Sequence, residues 1–300
     1  MPLDNITLPP ITPLMEPGAT SRIIFPVVER KMQWLTQAGQ GVDASGSKAL
    51  VRMTTDKSPV LLSVVNSTYK LATNKELFTT IEQTIIDKVE PSCLVGVQLK
   101  DHISYDGRVC YREYVFPNLR CDIGAKSDIG FRIVVSNSYG GGAIKLLAGA
   151  IEFFCTNGMV SGQYESTYAR HTSGLVMSTF ASNITSALDR FVSDAQRWRK
   201  WVETPVEFIS AMVLLKNIAS SPRMAEALSI QCAREFDVRG PNLWSVYSAM
   251  TYYASHNDGN FATRSDSEDE SSGAATSMFK RELTVRDWTN TKEFKQLENV

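Results

Sequence analysis

The sequence predicts an α+β protein in which an antiparallel β-meander packs against helices and a mainly helical C-terminal half follows. Three runs rich in β-branched and aromatic residues lie between residues 93 and 135, and an Asp106-Gly107 pair, a strong hairpin signal, separates the first two. From Leu175 onward apolar residues recur every three or four positions, which is the period of an amphipathic helix. Strands followed by segregated helices are the order typical of α+β proteins.

Composition narrows the class of protein. The chain has 300 residues, 43% of them hydrophobic and 21% charged, as in globular proteins with a sizeable core. No run approaches the roughly 18 apolar residues of a membrane-spanning helix, and the first residues do not resemble a secretory signal, so we expect no membrane partner. Five scattered cysteines and three histidines lack metal-site spacing. We therefore expect a cytoplasmic protein with reduced cysteines, no cofactor and no metal.

The N-terminal part is predicted to consist of an arm and a core. Residues 1–20 hold five of the twelve prolines, which predicts an extended arm. If this arm packs against a second copy of the chain, the protein would be a homo-oligomer. Residues 21–174 are predicted to form the α+β core. Its expected early elements are a short helix opened by Pro26, a loop at 39–47, strands at 49–53 and 59–65, and a helix opened by the capping box of Thr73 and Glu76.

A central stretch at 129–162 is predicted as a strand from Ile129 to Val135, a glycine-rich loop, and an apolar helix from Ala143 to Phe154. Two interpretations of the glycines stay open. They could let backbone N–H groups approach an anion at the helix N-terminus, or they could only make a tight connection. The loop lacks the Gly-Lys-Ser/Thr of a phosphate-binding NTPase loop, which argues against nucleotide hydrolysis.

The C-terminal half is predicted as three segments. Residues 175–256 form a helical region packed on the core, with helix starts near Thr204-Pro205, Ser221-Pro222 and Asn242. Residues 257–280 form an acidic mobile loop that contains the run Asp266 to Glu270. Residues 281–300 form a C-terminal helix.

Several motifs carry a family resemblance. They are Asn137-Ser138-Tyr139-Gly140-Gly141, Leu146-Leu147-Ala148-Gly149, Phe154-Cys155-Thr156-Asn157-Gly158-Met159-Val160 and Asn242-Leu243-Trp244-Ser245-Val246-Tyr247. The chain thereby resembles the phage, prophage and plasmid proteins called domain of unknown function 932, or YfjQ-like. The likeness covers residues 129–175 and, less closely, 240–250, where Ser248 replaces an asparagine frequent in the family. The resemblance implies a mobile-element origin and work in the host cytoplasm, often on nucleic acid; it carries over no catalytic residue.

Basic and aromatic side chains suggest how a nucleic acid could be bound. A single strand is held by cations that contact phosphates and by aromatic faces that stack on bases. Trp198 continues the apolar stripe of its helix and is expected in the core, whereas Trp201 falls off the stripe and is the expected platform. Arg199 and Lys200 could contact phosphates or form a merely solvated face. The candidate nucleic-acid-binding residues are Arg112, Arg132, Tyr139, Lys145, Tyr168, Arg170, Arg197, Arg199, Lys200 and Trp201.

These observations favour a sequence-tolerant single-stranded-DNA-binding protein that acts in replication, in recombination or as a cofactor that recruits a phage RNA polymerase to melted promoter DNA. The acidic run 266–270 could contact the polymerase or another replication or transcription protein, cover a basic groove until DNA displaces it, or only solubilise the chain. One alternative is a protein–protein interaction module or host-directed inhibitor. Another is a metal-dependent nuclease using Asp106, Asp122 and Asp128.

Overall fold

A computed structural model of the chain describes residues 12–16, 19–54, 58–124, 127–152, 157–159, 167–169, 171, 178–256 and 270–299. It confirms the α+β class, with strands in the N-terminal half and helices mostly in the C-terminal half. The strands are β1 (Val27–Leu35), β2 (Gly41–Arg52), β3 (Val60–Asn66), β4 (Gln98–Ser104), β5 (Val109–Gly124), β6 (Ser127–Ser138), β7 (Ile144–Glu152), β8 (Asn157–Met159) and β9 (Thr167–Ala169). The helices are α1 (Asn74–Lys88), α2 (Pro91–Leu94), α3 (Ser178–Glu203), α4 (Phe208–Ile218), α5 (Pro222–Arg239), α6 (Leu243–His256), α7 (Ala274–Thr289) and α8 (Lys292–Glu298).

The smaller sheet has the antiparallel order β1-β2-β3. β3 pairs with residues 47–52 of β2, so the far ends of β1 and β2 continue beyond it as a two-stranded hairpin that closes with Leu35 opposite Gly41. The predictions of a helix opened by Pro26 and a loop at 39–47 are therefore wrong. The apolar residues after Pro26 suit a helix locally, but pairing with a distant strand decides their conformation.

The larger sheet is antiparallel in the order β4-β5-β6-β7-β8, and β9 also pairs with β7. The predicted meander and its Asp106-Gly107 turn are confirmed. β4 and β5 are antiparallel neighbours, and Ser104 and Val109, the residues that flank the turn, are opposite each other. Gly107 has a φ of +98°, and a Cβ there would lie 2.7 Å from the ring of Phe25. Glycine is thus required both by its conformation and by the close approach of Phe25.

Strand β7 replaces the helix predicted from Ala143 to Phe154. Leu146 and Ala148 belong to the core on one face of the sheet, and Leu147 belongs to a second core on the other face. Because both faces are covered, residues 146–151 of the strand form a continuous apolar run without polar alternation. Such a run cannot be told from a buried helix by its period. The glycine-rich loop therefore connects two strands and has no helix N-terminus behind it.

Helices cover both faces of the larger sheet. On one face the main core includes apolar residues of α1 and α3 such as Phe78 and Phe191, and on the other face Met278 and Phe279 of α7 pack against Tyr111. α6 is buried around most of its surface and contacts α3, α5 and α7. Among the described residues, no helix is both long and apolar enough to cross a membrane.

Several predicted boundaries also change. The capping box of α1 and the helix starts at Ser221-Pro222 and Asn242 are confirmed, whereas α4 begins at Phe208 rather than at Pro205. α7 begins at Ala274, inside the segment predicted as an acidic mobile loop. Residues 257–269 of that segment, Cys155, and residues 1–11 and 17–18 of the predicted arm lie outside the described residues.

We expect the Thr73 cap to be a measurable part of stability. Thr73 Oγ1 accepts from the Glu76 amide at 3.2 Å, and Glu76 Oε2 accepts from the Thr73 amide at 3.0 Å. Thr73→Ala should lower the free energy of unfolding by about 1 kcal/mol, measured by urea denaturation. Thr80→Ala, at an exposed position within the same helix, is the matched control and should change it by less than about 0.5 kcal/mol. Equal effects of the two changes would contradict the capping role.

Candidate nucleic-acid interface

Arg112 is a buried clamp and not a surface cation. It lies in β5 with no exposed surface. Its guanidinium donates to both carboxylate oxygens of Asp101 at 2.7 and 2.9 Å and to Glu82 of α1 at 2.9 Å. Burial alone would lower the pKa of Arg112, but the hydrogen bond to Asp101 and the neighbouring Tyr114 and Glu82 outweigh it and raise that pKa. The prediction that Arg112 contacts phosphate is wrong, because these partners occupy it inside the protein.

Arg132 is the corresponding clamp on the opposite face of the sheet. It is almost fully buried in β6, pairs with Glu113 of β5, and donates to Glu282 of α7 at 2.9 Å. Nε2 of His102 lies 3.2 Å from the Glu113 carboxylate on the same face. The predicted phosphate contact of Arg132 is therefore also wrong, since α7 covers it.

Tyr139 and Trp201, the two predicted aromatic platforms with described side chains, are buried as well. The Tyr139 hydroxyl accepts from the Asn74 amide at 2.8 Å, at the start of α1, and burial raises its pKa. Trp201 packs against Phe294 of α8, and its Nε1 donates to Glu298 at 2.9 Å. Trp201 does fall off the main stripe of α3, but α8 covers it there. The prediction of an exposed platform at Trp201 is wrong for that reason.

Lys145 lies half-buried on β7, beside a cavity of about 50 Å³ between the sheet and α7. Ser136, Thr276 and Lys280 also line this cavity. Tyr168 is opposite Lys145 in the β7–β9 pairing, although only its backbone is described. Arg170 lies outside the described residues.

The predicted cluster from Arg197 to Trp201 divides into paired and exposed cations. Arg197 forms a two-pronged ion pair with Glu298 of α8, at 2.6 and 3.0 Å. Burial alone would raise the pKa of Glu298, but hydrogen bonds from Arg197 and Trp201 outweigh it and hold that pKa below its ordinary value. This contact docks α8 on the end of α3, so Arg197 is not a free phosphate ligand.

Further exposed cations lie on α3 and α8, the two helices that meet at this contact. Arg199 and Lys200 are exposed, and Arg199 donates to the backbone carbonyl of Asp122 at 3.0 Å. α8 adds two exposed lysines, which line an open concavity of about 520 Å³ together with the amide side chains Asn290, Gln296 and Asn299. We call the four cations Arg199, Lys200, Lys292 and Lys295 the basic corner. The two residues on α3 were predicted from sequence; the two on α8 were missed.

Among the described residues, the aromatic side chain with the largest exposed fraction lies elsewhere, at the end of the β1–β2 hairpin. Trp34 is 66% exposed, Leu35 79% and Val42 51%, and Trp34 lies directly opposite Val42 in the strand pairing. We call these three residues the hairpin tip. The other four tryptophans are buried. Sequence reasoning missed Trp34 because it placed the residue on a helix.

The signal that could have found the tip is its turn. Apolar Trp34, Leu35 and Val42 flank a polar stretch that contains Gly39, whose φ is +76° and whose amide donates to the Thr36 carbonyl. Short apolar runs on either side of a glycine-containing loop are typical of a hairpin. Arg30 and Lys31 are exposed on the same strand as Trp34.

The three acidic residues considered for a nuclease are not brought together. Asp122 and Asp128 are opposite each other in the β5–β6 pairing, but Asp106 lies beyond the other end of β5. The intervening strand separates them by a distance on the order of 40 Å, far more than a shared metal ion allows. Asp128 also pairs with Arg120 at 3.0 Å. In the part of the chain that the structure describes, no cluster of three or more histidine, cysteine, aspartate or glutamate residues could hold a metal ion.

Comparison with known proteins yields one match. A family model described as "Domain of unknown function (DUF932)" matches residues 61–279, well over half of the chain. No curated protein and no solved structure matches the chain. The match spans the larger sheet and helices α1 to α6, and it begins after the hairpin tip and ends before α8.

We expect Arg132→Met to act on stability. The change leaves Glu113 and Glu282 buried without their cation, which should cost about 3–5 kcal/mol in urea unfolding. Arg120→Met, which removes an exposed ion pair with Asp128, is the control and should cost less than about 1 kcal/mol. A loss of less than about 1 kcal/mol in the free energy of unfolding of Arg132→Met would contradict the importance of this buried ion pair.

Docking of α8 should depend on pH through Glu298. Because its folded-state pKa is lowered, the stabilisation it provides is present above the pKa of the unfolded chain and is lost as pH falls through the folded pKa. The protection factors of amide hydrogens in residues 292–298, which correct for the slower intrinsic exchange at lower pH, should therefore fall on acidification before those of the rest of the chain. In Glu298→Gln these protection factors should be low already at neutral pH. Slow exchange in Glu298→Gln at pH 7 would refute the role of this carboxylate.

Proposed function

The chain belongs to the family described as domain of unknown function 932. Since that description assigns no activity, we propose from the exposed side chains of this protein that it binds single-stranded DNA without sequence preference. The observation that carries the proposal is the exposed ring of Trp34 at the hairpin tip. A large apolar side chain is costly to leave in water, and its place at the end of a projecting hairpin suits contact with a partner.

Base stacking is the interaction that Trp34 would make. Every base has an aromatic face, so stacking tolerates any sequence and contributes about 1–3 kcal/mol per base. Arg30 and Lys31 are exposed on the same strand and can contact the phosphates that flank a stacked base. Stacking on a protruding arm also requires an unpaired strand, because the bases of a duplex are already stacked on one another.

The basic corner supports the same function. The whole chain has a net charge of −1, so attraction of a polyanion depends on local clusters of cations rather than on overall charge. The four exposed cations of the corner provide donors suited to phosphate oxygens, and amide side chains lie beside the two lysines of α8. A protein with these two surfaces would serve replication, recombination or promoter melting, in which single strands are exposed.

A second candidate function is assembly with another protein. Phe208, Ile209 and Val213 leave an exposed apolar face on α4. Apolar side chains clustered in this way are typical of protein interaction sites. This candidate predicts no affinity for oligonucleotides even at low salt, so titration with an oligothymidylate separates it from DNA binding.

We expect Trp34→Ala to weaken binding of a fluorescein-labelled oligothymidylate of 20 nucleotides by about 5- to 150-fold, measured by fluorescence anisotropy at low salt. The loss corresponds to one stacked base. Trp34→Phe should retain most of the affinity because it keeps a ring. Leu35→Ala, which changes the neighbouring apolar residue of the tip, is the matched control and should have little effect.

The same titrations can be repeated at several salt concentrations with Arg199→Glu/Lys200→Glu. Removal of two phosphate contacts should flatten the plot of log affinity against log salt by about 1.4, whereas Trp34→Ala should leave its slope unchanged. If the wild-type chain does not bind the oligonucleotide at low salt, or if Trp34→Ala binds as tightly as the wild type, the proposal is wrong.

A further inference from the structure

The carboxylate of Glu270 lies between two arginines at the base of the smaller sheet. Glu270 is the last residue of the acidic run and precedes α7. Its Oε2 is 2.9 Å from Nη1 of Arg52, and its Oε1 is 3.5 Å from Nη2 of Arg22. Two guanidinium groups that converge on one carboxylate form an anion-binding arrangement.

The Arg52 side chain is held in place without Glu270. Its guanidinium lies over the Phe25 ring at 4.2 Å, and its Nη1 also donates to the Asp106 carbonyl at 3.1 Å. Among the described residues its buried Nε has no hydrogen-bond partner, so the Glu270 contact does not satisfy the whole group. A cation fixed in this way is preorganised for an anion, because little side-chain freedom remains to be lost on binding.

The Glu270 carboxylate is not needed to attach this part of the chain. The Asp106 amide donates to the Glu270 carbonyl at 2.8 Å, and the Tyr105 amide donates to the Ser272 carbonyl at 3.2 Å. These backbone hydrogen bonds hold residues 270–272 beside the β4–β5 turn independently of the ion pairs of the Glu270 side chain. The ion pairs themselves are partly open to water, since the Glu270 side chain is 31% exposed and that of Arg22 46%. The Arg52 side chain is 16% exposed, so the pocket between the two arginines is open on the Arg22 side, where a competing anion can replace the carboxylate.

We propose that Arg22 and Arg52 form a phosphate-binding site, that Glu270 occupies it in the absence of nucleic acid, and that a phosphodiester of a bound single strand displaces Glu270. The inference rests on the proposed function. A phosphodiester presents two charged oxygens, as a carboxylate does, and guanidinium groups bind both. Phe25 contributes by holding Arg52 in position.

The position of the site suits a strand that also reaches Trp34. Arg52 and Val42 lie ten residues apart on β2, and Val42 is opposite Trp34. At about 3.3 Å per residue the two ends are roughly 30 Å apart. One strand lying along the β1–β2 hairpin could therefore stack on the tip and place a phosphate at the base.

Glu270→Gln removes the competing charge and keeps the shape of the side chain. We expect it to tighten binding of the 20-nucleotide oligothymidylate by about three- to tenfold at low salt and to steepen the salt dependence by about 0.7 for each phosphate gained. Glu270→Asp, which keeps the charge, should bind like the wild type. Arg52→Met combined with Glu270→Gln should lose the gain.

The outcomes separate this inference from the proposed function. If Glu270→Gln binds no more tightly than the wild type while Trp34→Ala still weakens binding, the displaceable carboxylate is refuted and DNA binding stands. A second readout uses inorganic pyrophosphate as the probe. Pyrophosphate should raise the melting temperature of Glu270→Gln more than that of the wild type, and equal shifts in the two proteins would overturn the phosphate site even if neither binds the oligonucleotide.

Discussion

Two buried arginines on neighbouring strands of the larger sheet hold helices to its opposite faces. Arg112 of β5 reaches Glu82 of α1 on one face, and Arg132 of β6 reaches Glu282 of α7 on the other. Burying a charge is costly unless it is paired and hydrogen-bonded, so each arginine requires its carboxylate and each carboxylate requires its arginine. Helix positions, strand register and the closure of both faces depend on these pairs.

This closure decides where function can lie. In the described part of the chain, helices cover both faces of the sheet at β5 and β6 and leave little room there for a long polymer. The exposed features that suit a polymer lie at the periphery: the hairpin tip on the smaller sheet, and the cations of the basic corner on α3 and α8. The hairpin tip and α8 lie outside the segment that the DUF932 model matches, whereas Arg199 and Lys200 lie within it.

The elements predicted correctly from the sequence are those with local chemical signals. Examples are the capping box of Thr73, the Asp106-Gly107 turn and the Ser221-Pro222 helix start, in which one or two residues determine the backbone. β1 and β7 were mistaken for helices because their conformation depends on pairing with distant strands. Arg112 and Arg132 were mistaken for surface cations because arginine is usually exposed and their partners on α1 and α7 lie 30 and 150 residues away in sequence. Of the predicted binding residues whose side chains the structure describes, Arg199 and Lys200 are the exposed ones. Trp34 was found from its exposure.

Ultraviolet crosslinking of the wild-type chain to oligothymidylate, with the crosslinked residues located by mass spectrometry, tests the proposed interface most directly. A stacked base lies in van der Waals contact with the ring beneath it, so crosslinks should map to the peptide that contains Trp34, with others in the peptides of the basic corner. Crosslinks confined to other parts of the chain, or no crosslinks at a concentration that saturates binding, would contradict it.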